Sequence, residues 1–225
     1  MNPQFFGDDL DLFKYDLIIN IMTEFKPDLH CFYFIPMMTR YCPKVKKGIP
    51  GSENDELIDH LYRVFDNEII EKYCNSVQDY FSSRPVRVKI FRRLFFSSET
   101  RDKYFSNAKL LLPERSLIFL DPDTGLEPQK LSEKHLAYQE LQMIYDKMDN
   151  HSILMVYQHH QQYKKTLEEY QKRIETKIRD KLKTEPLKIR NNAVTFFFVT
   201  KNKDVKKKLA DVVDNYRDKY PSILK

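Results

Sequence analysis

The stretch Ser116-Leu117-Ile118-Phe119-Leu120-Asp121-Pro122-Asp123-Thr124-Gly125 decides how the chain is read. Residues 116 to 120 make a short apolar run of the length expected for a strand. A run apolar at nearly every position, rather than at alternate ones, suits a central strand covered on both faces. The turn that follows is built from Asp, Pro, Thr and Gly, all ordinary turn residues, so its plainest reading is a solvated bend. Its position argues for more, because open α/β sheets bind ligands beyond the carboxyl ends of central strands. Glycine is also scarce, with only Gly7, Gly48, Gly51 and Gly125 in the chain. Gly125 should therefore answer a backbone demand or a close ligand approach.

Working outward, three further strands have the same apolar character: His30 to Met37, Ser152 to Tyr157, and Ala193 to Thr200. The last contains Phe196, Phe197 and Phe198, which read as core. Val86 to Phe91 alternates and predicts another strand. Helical spacing predicts helices over 11–26 (ended by Pro27), 55–81 in two pieces, 99–112, 132–148, 161–183 and 204–216. Strands separated by helices predict a Rossmann-like, doubly wound α/β fold: a mostly parallel sheet with right-handed crossovers and helices on both faces, over one domain, 1–225. Loops 36–54, 121–131 and 158–162 should then converge at one end of the sheet.

At 225 residues and net charge +5, nothing in the composition suggests disorder. No stretch reaches the roughly 20 apolar residues that span a bilayer, and Met1-Asn2-Pro3-Gln4 does not resemble a signal peptide. A cytoplasmic chain without a membrane partner is expected. Cys31, Cys42 and Cys74 are odd in number and widely spaced, which argues against a disulfide framework or a metal knuckle. Acids crowd residues 8–16, while bases crowd 44–47, 84–93 and 201–208. Basic clusters can meet the phosphates of a nucleic acid or nucleotide partner, although solvated lysine faces are common. Arg87, Lys89, Arg92 and Arg93 would position such a backbone without reading its sequence.

Several residues could carry chemistry. Asp11 and Lys14 stand three apart on the first predicted helix and can share a face as an ion pair, whose plainest place is the surface. Asp121 and Asp123, with Asp11, offer oxygen ligands for Mg²⁺, the arrangement of a metal-dependent nuclease or phosphohydrolase. His159 and His160 follow an apolar strand, and one of them could act as acid, base or ligand. His30, His60, His135 and His151 have no partner at ligand spacing and read as incidental.

The string Phe119-Leu120-Asp121-Pro122-Asp123-Thr124-Gly125-Leu126 resembles the D-P-P-Y-type turn of adenine-directed, S-adenosylmethionine-dependent methyltransferases. Gly7-Asp8-Asp9-Leu10-Asp11-Leu12-Phe13-Lys14-Tyr15 is similar to the G-N-x-A-D-x-x-K-H opening of the ribosomal RNA adenine-N6 members, with Gly7, Asp11 and Lys14 in register. The chain also resembles a bacterial family that opens G-D-x-x-D-x-F-K-Y-D-L and carries F-L-D-P-D-x-G-L.

The resemblance implies a class I methyltransferase type of sheet. It implies a catalytic set of Asp121, Pro122, Asp123 and Lys14, with S-adenosylmethionine held near Gly7, Asp11, Gly125 and His159, and with Asp11 and Lys14 contacting substrate or helping to position Asp121. In the family an Asp carboxylate and a Pro carbonyl accept hydrogen bonds from the target amine while an aromatic ring stacks on the base. Here Asp123 stands for the second proline and Thr124 for the aromatic residue, and Ile35-Pro36-Met37-Met38 stands where the first strand would lead into G-x-G.

Overall fold

The computed structural model describes residues 9–39, 55–84, 86–91, 96–127, 130–160 and 166–225, with 55–67 as backbone only. Gly7, Cys42, the basic loop 44–47, Arg92 and Arg93 lie outside the described residues. In chain order the elements are α1 (Asp9–Glu24), β1 (Cys31–Pro36), α2 (Asp55–Ser82), β2 (Val88–Ile90), α3 (Arg101–Leu110), β3 (Ser116–Asp121), β4 (Gly125–Leu126) and β5 (His135–Leu136). They continue with α4 (Tyr138–Lys147), β6 (Ile153–His159), α5 (Leu167–Leu182), β7 (Leu187–Arg190), β8 (Val194–Val199) and α6 (Lys203–Lys219).

Six strands form one sheet in the order β2-β1-β3-β6-β8-β7. β2, β1, β3 and β6 are parallel, whereas β8 runs antiparallel to both β6 and β7. This is the mostly parallel α/β sheet with helices on both faces that the strand–helix alternation predicts. The chain passes from β1 outward to β2, then returns to the other side of β1 as β3. The crevice between the ends of β1 and β3 is therefore the topological switch point.

Strand alternation divides the core in two. Phe32, Phe34, Leu117, Phe119, Met155, Phe196 and Phe198 pack beneath α1, α2 and α6. Tyr33, Ile35, Ile118, Leu120, Leu154, Val156 and Phe197 pack beneath α3, α4 and α5. All three consecutive phenylalanines are buried, on alternate faces, as core. Each buried phenylalanine contributes about 1.5–3 kcal/mol, which sets the background against which the polar site below is tolerated.

Four expectations change. Residues 55–82 make one continuous helix, not two. The helix expected from Ser132 starts at Tyr138, because the chain turns at 133–134 and His135–Leu136 pair as β5 beside β4. Residues 161–165 lie outside the described range, and α5 begins at Leu167. The strand Leu187–Arg190 was not anticipated, although Leu187-Lys188-Ile189-Arg190 alternates as an edge strand should. Among the described residues no helix is long and apolar enough to cross a membrane.

Candidate functional site

Asp121 is the last residue of β3, and Pro36, the last of β1, lies beside it in register. Strand alternation turns Asp121 the same way as Leu117 and Phe119, onto the face covered by α1. On α1, Lys14 precedes the buried Leu17, Ile18 and Ile21 at helical spacing, so it sits on the core-facing stripe rather than the solvent side. The two side chains meet: Lys14 Nζ donates to Asp121 Oδ2 at 3.0 Å, and pairs with Asp11 Oδ1 at 2.5 Å. Lys14 is 3 % exposed, Asp121 2 % and Asp11 7 %. Asp11 and Lys14 are therefore not a surface ion pair: the pair is buried, and Lys14 also bonds Asp121.

Two phenols complete this polar core. Tyr15 and Tyr73 share a hydrogen bond of 2.6 Å between hydroxyls, both buried, and burial raises the pKa of each. Burial also works against the Lys14 ammonium, but Asp121, Tyr15 and Asp11 outweigh it and hold its pKa well above the ordinary lysine value. Burial pushes the Asp121 carboxyl above the usual carboxylate range, with Lys14 opposing and Asp11 adding to the push. Both shifts have one sense. Asp11 and Asp121 both bond the buried ammonium of Lys14.

The turn after β3 faces different neighbours. Asp123 Oδ2 accepts from Thr39 Oγ1 at 3.4 Å and lies 3.4 Å from Lys134 Nζ. Thr39 belongs to the exit of β1, so Asp123 joins the two lips of the crevice. A backbone bond from Met37 N to the Asp121 carbonyl at 3.2 Å makes a second brace. The exit of β1 is closed from below: Met37 and Met38 are fully buried, Tyr104 Oη donates to the Pro36 carbonyl, and Phe96 N donates to the Met38 carbonyl.

Gly125 has φ +114°, the left-handed side where only glycine is comfortable, and an added Cβ would overlap the amide of Gln158. Its need is a backbone one. Gln158, wholly buried on β6, accepts from Leu126 N at 2.8 Å and donates to the Thr124 carbonyl and to Tyr170 Oη. It stitches the turn to β6. β4 and β5 then fold the following segment back, with Thr124 N donating to the Lys134 carbonyl. Buried Arg101 holds that segment from the other side, pairing with Glu140 and donating to the carbonyls of Ser132 and His135.

The histidines divide. His159 N donates to the Thr124 carbonyl at 3.2 Å, which places this residue beside the turn, and its Nδ1 lies 3.3 Å from Tyr157 Oη. His160 turns away to the Asn192 carbonyl and to Thr195 Oγ1. His135, which reads as incidental in the sequence, stands at the turn: burial and Arg101 depress its pKa, and Asp123 and Glu127 oppose them. Sequence reasoning also missed Thr39, Lys134 and Gln158. Only Gln158 left a signal there, as the polar member of the stripe Leu154, Val156, Gln158.

The structure thus brings Asp11, Lys14 and Asp121 together, places Asp123, Gly125 and His159 around the adjoining turn, and among the described residues pairs Asp121 with Lys14 and Asp123 with Thr39 and Lys134. Among the described residues no three His, Cys, Asp or Glu side chains gather as a metal-binding group. No family model, curated protein or solved structure matches the chain.

Proposed function

We propose that the chain is a methyltransferase-like Rossmann protein that acts on nucleic acid or a nucleotide at the Asp121-Pro122-Asp123 turn. One observation carries this reading. Asp11, Lys14 and Asp121, which two separate strings of the resemblance single out, are bonded to one another at the switch point. A chance likeness of two short strings gives no reason for their residues to meet. The site is rich in acceptors, which suits a ligand that arrives with N–H donors, such as the exocyclic amine of a base. In this reading the Pro122 carbonyl and a carboxylate of the turn accept from that amine.

S-adenosylmethionine, the cofactor the resemblance implies, does not fit the exit of β1. Where open glycine backbone would approach a nucleoside, buried Met37 and Met38 fill the space and the Pro36 and Met38 carbonyls already accept hydrogen bonds. The segment leaving β2, Phe91-Arg92-Arg93-Leu94-Phe95-Phe96, carries no acid for ribose hydroxyls. The filled exit favours a second version of the reading, in which the same crevice binds RNA, DNA or a protein partner without turnover.

Calorimetric titration with S-adenosylmethionine and with a short oligoadenylate, without and then with Mg²⁺, tests both versions. Binding of the cofactor supports group transfer despite the filled exit. Binding of the oligoadenylate alone, weakening with salt, supports the binding version. A protein that binds neither sinks the nucleotide reading.

A further inference from the structure

We propose that the two carboxylates of the turn have separate duties: Asp123 receives the donor group of the ligand, while Asp121 is a buried anchor that fastens α1 to the sheet. The class of ligand, a base carrying an exocyclic amine, rests on the function proposed above; the division of duties rests on geometry alone.

Asp121 still belongs to β3, and the pleat commits its side chain to the covered face. There its carboxylate is held by Lys14, with 3 % of its side chain and 4 % of the lysine's exposed. Lys14 holds Oδ2, so a ligand amine arriving there would compete with a buried charge-assisted contact, and losing it would leave the ammonium beside fewer acceptors. Asp123 lies two residues beyond the strand, free of the pleat. Its side chain is 17 % exposed, and the Lys134 that pairs with it is 56 % exposed. The Thr39 and Lys134 contacts, both 3.4 Å, are at the long end of the hydrogen-bond range, and an exposed ion pair contributes little. Exchanging either of these two contacts for a ligand N–H therefore costs little, whereas exchanging the buried contact of Asp121 with Lys14 does not.

Asp123 is also the carboxylate that spans the crevice, since Thr39 sits on the opposite lip. The resemblance gives the amine contact to the first acid of the motif; here it moves to the position where the family has its second proline. The extra acid and the buried lysine are then parts of one arrangement. Lys14 occupies the first carboxylate, and the second takes over its contact.

The experiment has one arm that needs no ligand. Wild-type protein is treated with a carbodiimide and an amine, and the labelled carboxyls are mapped by peptide mass spectrometry. Asp123 should be labelled and Asp121 spared, with a short oligoadenylate protecting Asp123. In the second arm, Asp123→Asn should keep the wild-type urea midpoint and bind adenosine and oligoadenylate about tenfold more weakly or worse, the loss expected for one charged acceptor. Asp121→Asn should instead lower the midpoint, because it removes the charge that pairs with buried Lys14. Labelling of Asp121 ahead of Asp123, or unchanged binding by Asp123→Asn, overturns the proposal. If the wild type binds neither probe, the functional reading falls by itself, and labelling with the urea midpoints still decides which carboxylate faces the crevice.

Discussion

At the scale of single residues, Gly125 and Lys14 are each required by one neighbour. Replacing Gly125 by Ala forces a side chain into positive φ and into the Gln158 amide. We expect a loss of about 2 kcal/mol or more, from backbone strain and overpacking together, read as a lower urea midpoint with an unchanged slope. Lys14→Met removes the ammonium between two buried carboxylates. Breaking a buried pair from one side costs about 3–5 kcal/mol, so this variant should be the least stable of the site series by thermal melting. Both positions were visible in the sequence, Gly125 by scarcity and Lys14 by its spacing from Asp11 and its register in the resemblance. Their partners were not, because Gln158 and Asp121 reach them only through the fold.

At the scale of elements, β6 organises the site. Val156 packs into the core, Gln158 braces the turn after β3, and His160 closes the junction with β8 and α5. His160 is within hydrogen-bond distance of the Asn192 carbonyl, and its Nε2 lies 2.7 Å from Thr195 Oγ1, which also accepts from Gln171. Burial depresses its pKa below the ordinary histidine value of 6.5, with Arg190 and His159 adding to the depression and the Asn192 carbonyl opposing it. A histidine depressed in the folded state contributes stability above its unfolded pKa, and that contribution is lost as pH falls through the folded value. The urea midpoint should therefore drop as pH is lowered below about 6.5, and His160→Gln should make that drop shallower. An equal pH dependence in the variant would remove His160 from the account. His135, depressed in the same direction, supplies the part that should remain.

At the scale of the whole molecule, the sheet has one edge at β2 and the other at β7, and the C-terminus covers the second. Arg190 and Lys225 exchange backbone hydrogen bonds, and Leu224 is buried in the core beneath α6. Deleting residues 221–225 should cost about 2–4 kcal/mol from one buried leucine and two edge bonds, and the bared edge should promote concentration-dependent association, measurable by light scattering. The strands at 31–36, 116–121, 153–159 and 194–199, their enclosure on both faces, and the place of the acidic turn at the end of a central strand were determined by the sequence itself, because hydrophobic runs and breakers act over a few residues. What only tertiary structure decided was which groups meet. The antiparallel place of β8, the β4–β5 pair, the role of His135 and the opposite facing of Asp121 and Asp123 all follow from strand order and pleat. Lys14 and Asp121 are 107 positions apart, and no local pattern in either segment encodes the other; the sheet order brings them into contact, and burial then gives that contact its strength.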